Sequence, residues 1–290
     1  FEETLRTVGY APFFFSKGCP YLCTYCSNHA IAKRYGSSRN TPRFRSPENC
    51  IREIEDVISR FKITTIGIFD DILGIDRKWR DEFLKKYKEK IRIRFFCLLR
   101  ANLVDEKFVR LLKNAGCYRI SMGVESGNDY IRNTVMNRGL SEKQIIKAFD
   151  LCRQYRIQTN SLNIIGTPGE TEEMIWDTIH LNRRLRATSS GVNIFYPYKG
   201  TQLGDHCFSE GLVNEDLYYS FSSERRSSVL NYPDDFKEKL VYYSRNWEDL
   251  INKGNISYWL KKFVKGLLVK VQIWDFLIKF KKSIRRFFKK

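Results

Sequence analysis

The chain has 290 residues, eight cysteines and a formal net charge of +18. Its length suffices for one large α/β domain with a buried core. Residues 253–290 carry twelve Lys or Arg and a single acid, so the rest of the chain carries only +7. This balance excludes a uniformly basic nucleic-acid-binding protein and indicates a mildly basic domain followed by a strongly basic segment.

Short apolar runs alternate with longer amphipathic segments along most of the chain, which predicts alternating strands and helices. Strands are predicted at 12–15, 64–69, 93–99, 118–124, 158–165 and 191–196. Helices are predicted at 47–61, 77–90, 105–115, 141–155, 170–185 and 234–253, with Ser46 as an N-cap and a capping box at Ser141. Because each strand is almost entirely apolar, we expect parallel strands covered by helices. Either an open doubly wound sheet or a barrel satisfies this pattern.

The chain is divided by composition after the last strand. Residues 197–231 are rich in Gly, Ser and Tyr and are predicted to be irregular. We therefore expect a core at 1–205, an irregular and helical extension at 206–253 and a basic amphipathic helix at 254–290.

The basic helix has an apolar stripe that recurs every three or four residues: Ile256, Leu260, Phe263, Leu267, Val271, Trp274 and Ile278. A basic helix of this kind suits an anionic membrane interface. Docking of the stripe on the core is an equal alternative. Nucleic acid is the less favoured partner, because the aromatic residues share the apolar stripe instead of alternating with the basic residues.

Three cysteines, Cys19, Cys23 and Cys26, fall within eight residues, so one short loop could wrap a single metal centre. A [4Fe–4S] cluster usually takes four thiolates, so a loop with three would leave one iron open to another ligand. The alternative is a zinc site completed by His29. The other cysteines are scattered singly, as reduced thiols are, which indicates a reducing cytoplasm: Cys50, Cys97, Cys117, Cys152 and Cys207.

The spacing C-x3-C-x2-C, with Tyr25 directly before the last cysteine, resembles the signature of the radical S-adenosylmethionine (SAM) superfamily. The resemblance covers about residues 10–205 and implies a partial (β/α)6 TIM-type barrel. It implies that the three cysteines hold a [4Fe–4S] cluster and that SAM chelates the fourth iron through its amino and carboxylate groups. The reaction implied is reductive cleavage of SAM to a 5'-deoxyadenosyl radical, with Tyr25 beside the cofactor.

Residues at the strand ends are predicted to hold SAM, because ligands gather there in parallel barrels. Asp70 and Asp71 suit the amino group, with a turn or helix cap as the alternative. Arg100 suits the methionine carboxylate. Glu125, with Ser126, is expected near the ribose or the amino group, with a structural ion pair as its alternative.

The fifth predicted strand ends in Asn163-Ile164-Ile165-Gly166, which the resemblance places near adenine and ribose. The following Thr167-Pro168-Gly169-Glu170-Thr171 resembles the cobalamin-binding branch of the superfamily. In that branch a cobalamin domain usually lies upstream, so the chain, which begins at Phe1, is expected to be a fragment or to work without cobalamin.

The resemblance implies radical methylation or cyclisation of a small-molecule or lipid substrate, with a flavodoxin- or ferredoxin-type electron donor. A tRNA methylthiotransferase-like enzyme is the alternative within the superfamily. A non-catalytic, zinc-containing protein that binds membrane or nucleic acid is the alternative from another class. Since no uncharged apolar run reaches the length of a membrane span, we expect either a cytoplasmic protein or one that is peripheral at the inner face of the membrane.

Overall fold

The structure, a computed structural model, describes residues 3, 9–34, 41–220, 225–256, 258, 260 and 262–264. The chain divides into two compact units, Phe1–Ile251 and Asn252–Lys290. Of the second unit only a short part is described, so most of the predicted basic helix at 254–290 lies outside the described residues. Among the described helices, none has both the length and the apolar character that crossing a membrane requires.

The first unit contains eight described strands, of which six form one parallel sheet in the order β1-β4-β5-β6-β7-β8. The strands are β1 (Ala11–Phe13), β2 (Ser16–Lys17), β3 (Arg43–Phe44), β4 (Ile66–Ile68), β5 (Phe95–Leu99), β6 (Cys117–Glu125), β7 (Gln158–Ile165) and β8 (Ser189–Ile194). Within the described residues β1 and β8 are unpaired edges, so the sheet is open. This arrangement confirms the predicted α/β class and a partial barrel.

Nine described α-helices accompany the strands: α1 (Ser27–Arg34), α2 (Pro47–Arg60), α3 (Arg77–Lys90), α4 (Glu106–Asn114), α5 (Glu142–Gln154), α6 (Glu172–Leu185), α7 (Gln202–Ser209), α8 (Glu215–Tyr219) and α9 (Asp234–Ile251). The predicted caps are present. Ser46 accepts a hydrogen bond from the N–H of Asn49, and Ser141 forms a capping box with Gln144.

Sequence reasoning was wrong about residues 197–231 and incomplete near the cysteines. The segment predicted to be irregular contains α7 and α8. The short antiparallel ladder of β2, which lies just before the first cysteine, with β3, which follows the cysteine loop, was not predicted. Both are short elements, in which a helical or alternating pattern has too few residues to stand out.

Helix α9 packs against β8, one of the two edge strands of the sheet. Leu240, Tyr243 and Trp247 are buried against residues of β7, β8 and α6, and Trp247 Nε1 donates to Ser190 Oγ at 2.9 Å. An uncovered edge strand is prone to pair with other chains, so α9 both completes the hydrophobic core and protects this edge.

Candidate active site

A cavity of about 340 Å3 lies at the carboxyl ends of β4, β5 and β6. We call it the first cavity. Its lining contains all three clustered cysteines and five of the other predicted site residues, together with Arg138, which was not predicted: Cys19, Cys23, Cys26, Tyr25, Asp70, Asp71, Arg100 and Glu125. The fold therefore brings strand ends that are far apart in sequence to the cysteine loop.

Asp70 and Asp71 fix the backbone that leads into the cysteine loop. Asp70 Oδ1 accepts hydrogen bonds from the N–H groups of Phe15 and Ser16 at 2.6 and 3.0 Å, and Asp71 Oδ2 accepts from Gly18 N at 2.9 Å. Burial raises the pKa of Asp70 to about 6, although the two N–H groups oppose the shift. Helix α3 is capped by Asp76 instead, so both acids serve the loop and not the helix.

Thr24 ties the middle of the cysteine loop to two distant segments. Its Oγ1 donates to the carbonyl of Val135 at 2.7 Å, and its N–H donates to the carbonyl of Met136 at 3.1 Å. Its own carbonyl accepts from Leu203 N at 2.8 Å. The loop is thus held at its start by the acids after β4. Its centre is held by residues that follow β6 and by a residue that follows β8.

Arg138 forms a polar group with Tyr25 and Glu125 in the cavity wall. Its Nη1 donates to the Tyr25 hydroxyl at 2.9 Å and lies 3.5 Å from Glu125 Oε1, while Nη2 donates to the carbonyl of Gly123 at 2.5 Å. Burial raises the pKa of Glu125, and the charge of Arg138 opposes this shift. Sequence reasoning missed Arg138, because it lies in a loop with no strand end or motif beside it.

Glu125 reaches this group through an unusual backbone. Its φ is +64°, and the register of β6 against β7 shifts between Gly123 and Glu125. A positive φ is costly for a residue other than Gly, Asn or Asp, and such strain concentrates at functional sites. The observation supports a functional role for Glu125 but leaves the ligand undefined.

Arg100 lies against the cysteine loop. Its Nη1 is 3.9 Å from Cys23 Sγ, its guanidinium carbon is 3.8 Å from the ring centroid of Tyr21, and its Nη2 donates to the carbonyl of Arg138. Asn102 Nδ2 donates to the Tyr21 hydroxyl at 2.8 Å. Arg100, the predicted carboxylate ligand, is therefore also a neighbour of one of the three clustered cysteines.

Ser126 and Asn163 use their side chains between the sheet and α6. Ser126 Oγ lies 3.3 Å from Thr178 Oγ1. The amide of Asn163 accepts from Asn182 Nδ2 at 2.8 Å and donates to the carbonyl of Gly191 at 2.9 Å. Asn163 lines the second cavity described below, with both ends of its amide engaged with protein, whereas Ser126 lines neither cavity.

Gly166 allows the chain to turn closely under α9. Its φ is +78°, and a Cβ at this position would lie 2.8 Å from Leu240. Glu170 Oε2 accepts from the N–H groups of Gly166 and Thr167 at 2.6 and 3.0 Å, while burial raises the pKa of Glu170 to about 7. Thr171 caps α6, since its side chain accepts a hydrogen bond from the N–H of Met174.

A second cavity of about 410 Å3 adjoins the first. The two share Tyr25, Cys26, Glu125 and Leu162. The second is lined further by aromatic residues that follow β8, Phe195, Tyr196 and Tyr198. Together the two cavities provide space beside the cysteine loop for a ligand larger than the cluster.

The three thiols fit a cluster better than a single ion. Cys23 is buried and Cys19 and Cys26 are half-buried, and all are free. Among the described side chains, no three His, Cys, Asp or Glu residues form the ligand group of one metal ion. Zinc needs its ligands around one point, whereas a [4Fe–4S] cluster binds each thiolate at a different iron. The side chain of His29, the predicted fourth zinc ligand, lies outside the described residues.

Buried polar atoms in the cavity wall also lack partners. Among the described residues, Asp70 Oδ2, Arg100 Nε and Arg138 Nε make no hydrogen bond. Buried polar atoms without partners are rare and need an explanation such as a ligand. The wall therefore fits a polar, charged ligand next to the cluster.

Residues 13–181 match the family description "Radical SAM superfamily". Because this match covers more than half of the chain, the chain belongs to the radical SAM superfamily, whose enzymes use a [4Fe–4S] cluster, SAM, a reductant and a substrate. The relatives described next are also enzymes.

The curated relatives differ in reaction. An uncharacterized methyltransferase of Pyrococcus horikoshii is 28% identical over 200 residues, which are 68% of this chain and 42% of the relative. Anaerobic magnesium-protoporphyrin IX monomethyl ester cyclase of Rubrivivax gelatinosus is 24% identical, over 65% of this chain and 33% of the relative. A tRNA-2-methylthio-N(6)-dimethylallyladenosine synthase of Lachnoclostridium phytofermentans is 23% identical, over 83% of this chain and 54% of the relative. The chain thus spans a third to about half of the length of these relatives.

Among solved structures, the radical SAM methyltransferase TsrM of Kitasatospora setae, with tryptophan and a SAM analogue bound, superposes with a TM-score of 0.61. The identity is 19%, and the match covers 72% of this chain and 40% of TsrM. At this identity the likeness establishes a common fold.

Proposed function

We propose that this chain is the core of a radical SAM enzyme of the cobalamin-dependent type that methylates or cyclises a small-molecule or lipid substrate. The observation that carries the proposal is the convergence of Cys19, Cys23 and Cys26 with Tyr25, Glu125 and Arg138 on one cavity. A methyltransferase and a cyclase among the relatives support the two reaction outcomes.

Each group in the cavity wall has a task in this proposal. The three thiolates would hold the cluster, which supplies the electron that cleaves bound SAM. Glu125 would accept hydrogen bonds from the amino group or ribose, and Arg138, with its unpartnered Nε, would bind the carboxylate. Asp70, Asp71 and Thr24 would keep the loop in place, and the aromatic wall of the second cavity would exclude water.

The cobalamin part of the proposal is supported by a solved structure of TsrM that contains cobalamin and a [4Fe–4S] cluster. The Gly166-Thr167-Pro168-Gly169-Glu170 turn, which resembles the same branch, lies at the carboxyl end of β7, although none of its residues lines either cavity. A flavodoxin- or ferredoxin-type protein is the proposed electron donor.

Anaerobic reconstitution tests the proposal in two stages. We expect about four irons per chain and formation of 5'-deoxyadenosine from SAM with dithionite. Added reduced cobalamin should then yield S-adenosylhomocysteine, which is the product left when SAM loses its methyl group. One zinc and no iron would overturn the cluster, whereas 5'-deoxyadenosine without S-adenosylhomocysteine would overturn only the cobalamin step.

A tRNA methylthiotransferase activity has support from relatives but is not favoured. Such enzymes use a second cluster, and the five other cysteines are buried away from both cavities. The test is incubation of the reconstituted chain with unmodified tRNA and a sulfur source. Nucleoside analysis should detect no methylthio product.

A further inference from the structure

Arg100 is held rigidly beside the thiol of Cys23. Its guanidinium group stacks on the ring of Tyr21 at 3.8 Å, and its Nη2 donates to the carbonyl of Arg138. The residue is 6% exposed, so it cannot turn towards water without opening this part of the wall. These contacts leave Nη1 directed at Cys23 Sγ, 3.9 Å away.

Tyr21 is itself fixed, because Asn102 donates to its hydroxyl at 2.8 Å. Arg100 and Asn102 both follow β5, whereas Tyr21 and Cys23 belong to the cysteine loop. The segment after β5 thus contacts the cysteine loop at two points, the ring of Tyr21 and the thiol of Cys23. A stacked guanidinium loses little freedom when it makes such a contact.

This arrangement is poorly suited to a ligand carboxylate. A bidentate contact needs two parallel N–H groups on one edge of the guanidinium, and both terminal nitrogens of Arg100 already face protein atoms. Only Nε is without a partner among the described residues. The terminal nitrogens of Arg138 also face protein atoms, the Tyr25 hydroxyl and the carbonyl of Gly123, so each of the two arginines offers a ligand only its Nε.

We propose that Arg100 raises the reduction potential of the cluster through Cys23 and that Tyr21 positions it for this role. The proposal rests on the cluster and not on the identity of the substrate. On reduction the cluster gains one electron from the donor, with no bond made or broken, and so becomes more negative. Hydrogen bonds to cluster sulfurs and nearby charge set such potentials, and a fixed cation favours the more negative state.

Removal of the cation should make the cluster harder to reduce. At a fixed applied potential, Arg100→Gln should lower the ratio of reduced to oxidised cluster about tenfold, which corresponds to about 59 mV for one electron. Arg100→Lys keeps the positive charge but lacks the planar guanidinium that stacks on Tyr21. The reduction potential of its cluster should therefore lie between those of Arg100→Gln and the wild type. Tyr21→Leu removes the ring beneath the guanidinium and should shift the potential in the same direction by less.

The experiment is a redox titration of the reconstituted full chain without SAM, followed by electron paramagnetic resonance, with iron content and SAM affinity measured on the same samples. Arg119→Gln is the matched control, because Arg119 also stacks on an aromatic ring, Phe96 at 4.8 Å, yet borders neither cavity. We expect full iron content, a lower midpoint only in the Arg100 and Tyr21 variants, and SAM affinity within about twofold of wild type.

An unchanged midpoint potential in Arg100→Gln, together with weaker SAM binding, would overturn the proposal. Arg100 would then be assigned to binding the carboxylate of SAM. Loss of iron from both Arg100 variants would also overturn the proposal, because it would show that Arg100 serves only to hold the cysteine loop in place. A wild-type chain without a cluster would overturn the cluster assignment as well, so failure of the two proposals can be told apart.

Discussion

Glu125 Oε1 and Arg138 Nη1 lie 3.5 Å apart in the wall of the first cavity, with side chains only 12% and 10% exposed. Glu125 ends β6, whereas Arg138 lies in the loop before α5, and the Tyr25 hydroxyl accepts from the same Nη1. Removal of one charge of a buried pair leaves the other without compensation. The pair therefore links the cysteine loop to the end of β6 and to the loop before α5 through buried charge.

Glu125→Gln should weaken SAM binding and leave the iron content unchanged. The substitution removes a charged acceptor, and a charge-assisted hydrogen bond contributes about 1.5–3 kcal/mol, so we expect affinity to fall roughly tenfold or more. Equilibrium binding of SAM to the reconstituted chain measures the effect. Asp177→Asn, on the exposed side of α6, is the control. Equal affinity for the Glu125 variant and wild type would reduce this carboxylate to a structural partner of Arg138.

Cys23→Ala should abolish both cluster assembly and 5'-deoxyadenosine formation, because two remaining thiolates cannot hold the cluster. The fold should persist, since the main hydrophobic core is built from other residues. Iron analysis, circular dichroism and a SAM-cleavage assay check the three statements. Cys50→Ala removes a buried thiol outside the cavity and should keep its iron. SAM cleavage by the Cys23 variant would refute the cluster assignment.

The features that sequence predicted are those that depend on local pattern. Strands and helices follow from periodicity, and the cysteine loop follows from spacing within eight residues. Arg138 could not be found in this way, because its contacts to Tyr25 and Glu125 join three loops that are distant in sequence. The bridge from Thr24 to Val135 is missed for the same reason.

Asn163 illustrates a different limit. Its position near the end of a strand predicted a ligand contact, and Leu162, Asn163 and Ile164 all line the second cavity. The amide of Asn163 is nevertheless bonded to protein on both sides, to Asn182 of α6 and to the carbonyl of Gly191. A strand-end position therefore predicts a place in the cavity wall, but it does not determine whether the side chain is free to bind a ligand.

Asp70→Ala should loosen the cysteine loop. Without the carboxylate, the N–H groups of Phe15 and Ser16 lose their acceptor, and each unsatisfied buried donor costs about 1–3 kcal/mol. We expect lower iron retention during gel filtration and earlier thermal unfolding. Asp70→Asn keeps an oxygen that can accept hydrogen bonds at this position, so it should restore most of the iron retention and most of the thermal stability. If alanine and wild type retained iron equally, the loop would not depend on this anchor.

Glu170 should make folding stability depend on pH. Its pKa rises from 4.5 to about 7 on folding, chiefly through burial. The protonated form is therefore favoured in the folded chain, and its contribution, on the order of 3 kcal/mol, is complete below pH 4.5 and lost as the pH rises to about 7. Urea unfolding of wild type and Glu170→Gln at several pH values tests this. The difference in the free energy of unfolding between wild type and Glu170→Gln should change between pH 4.5 and about 7 and stay constant above that pH. A constant difference at every pH would contradict a raised pKa.

The basic segment 254–290 remains a predicted membrane anchor. In the described part of the second unit, an apolar hollow is lined by Gly254, Ile256, Leu260 and Phe263, the beginning of the predicted stripe. Anionic lipid attracts each nearby Lys or Arg by about 1 kcal/mol. We therefore expect the full chain to sediment with phosphatidylglycerol vesicles at low salt and to be released by high salt.

A chain ending at Lys253 should stay in the supernatant and keep its cluster. A full-length variant with Leu260→Ser and Phe263→Ser keeps every positive charge, so weaker sedimentation of this variant would assign part of the binding to the apolar stripe. Vesicles of phosphatidylcholine, which carry no net charge, should retain neither the full chain nor the shortened one. Equal sedimentation of the full and shortened chains would exclude the anchor, and loss of iron on shortening would favour docking of the stripe on the core.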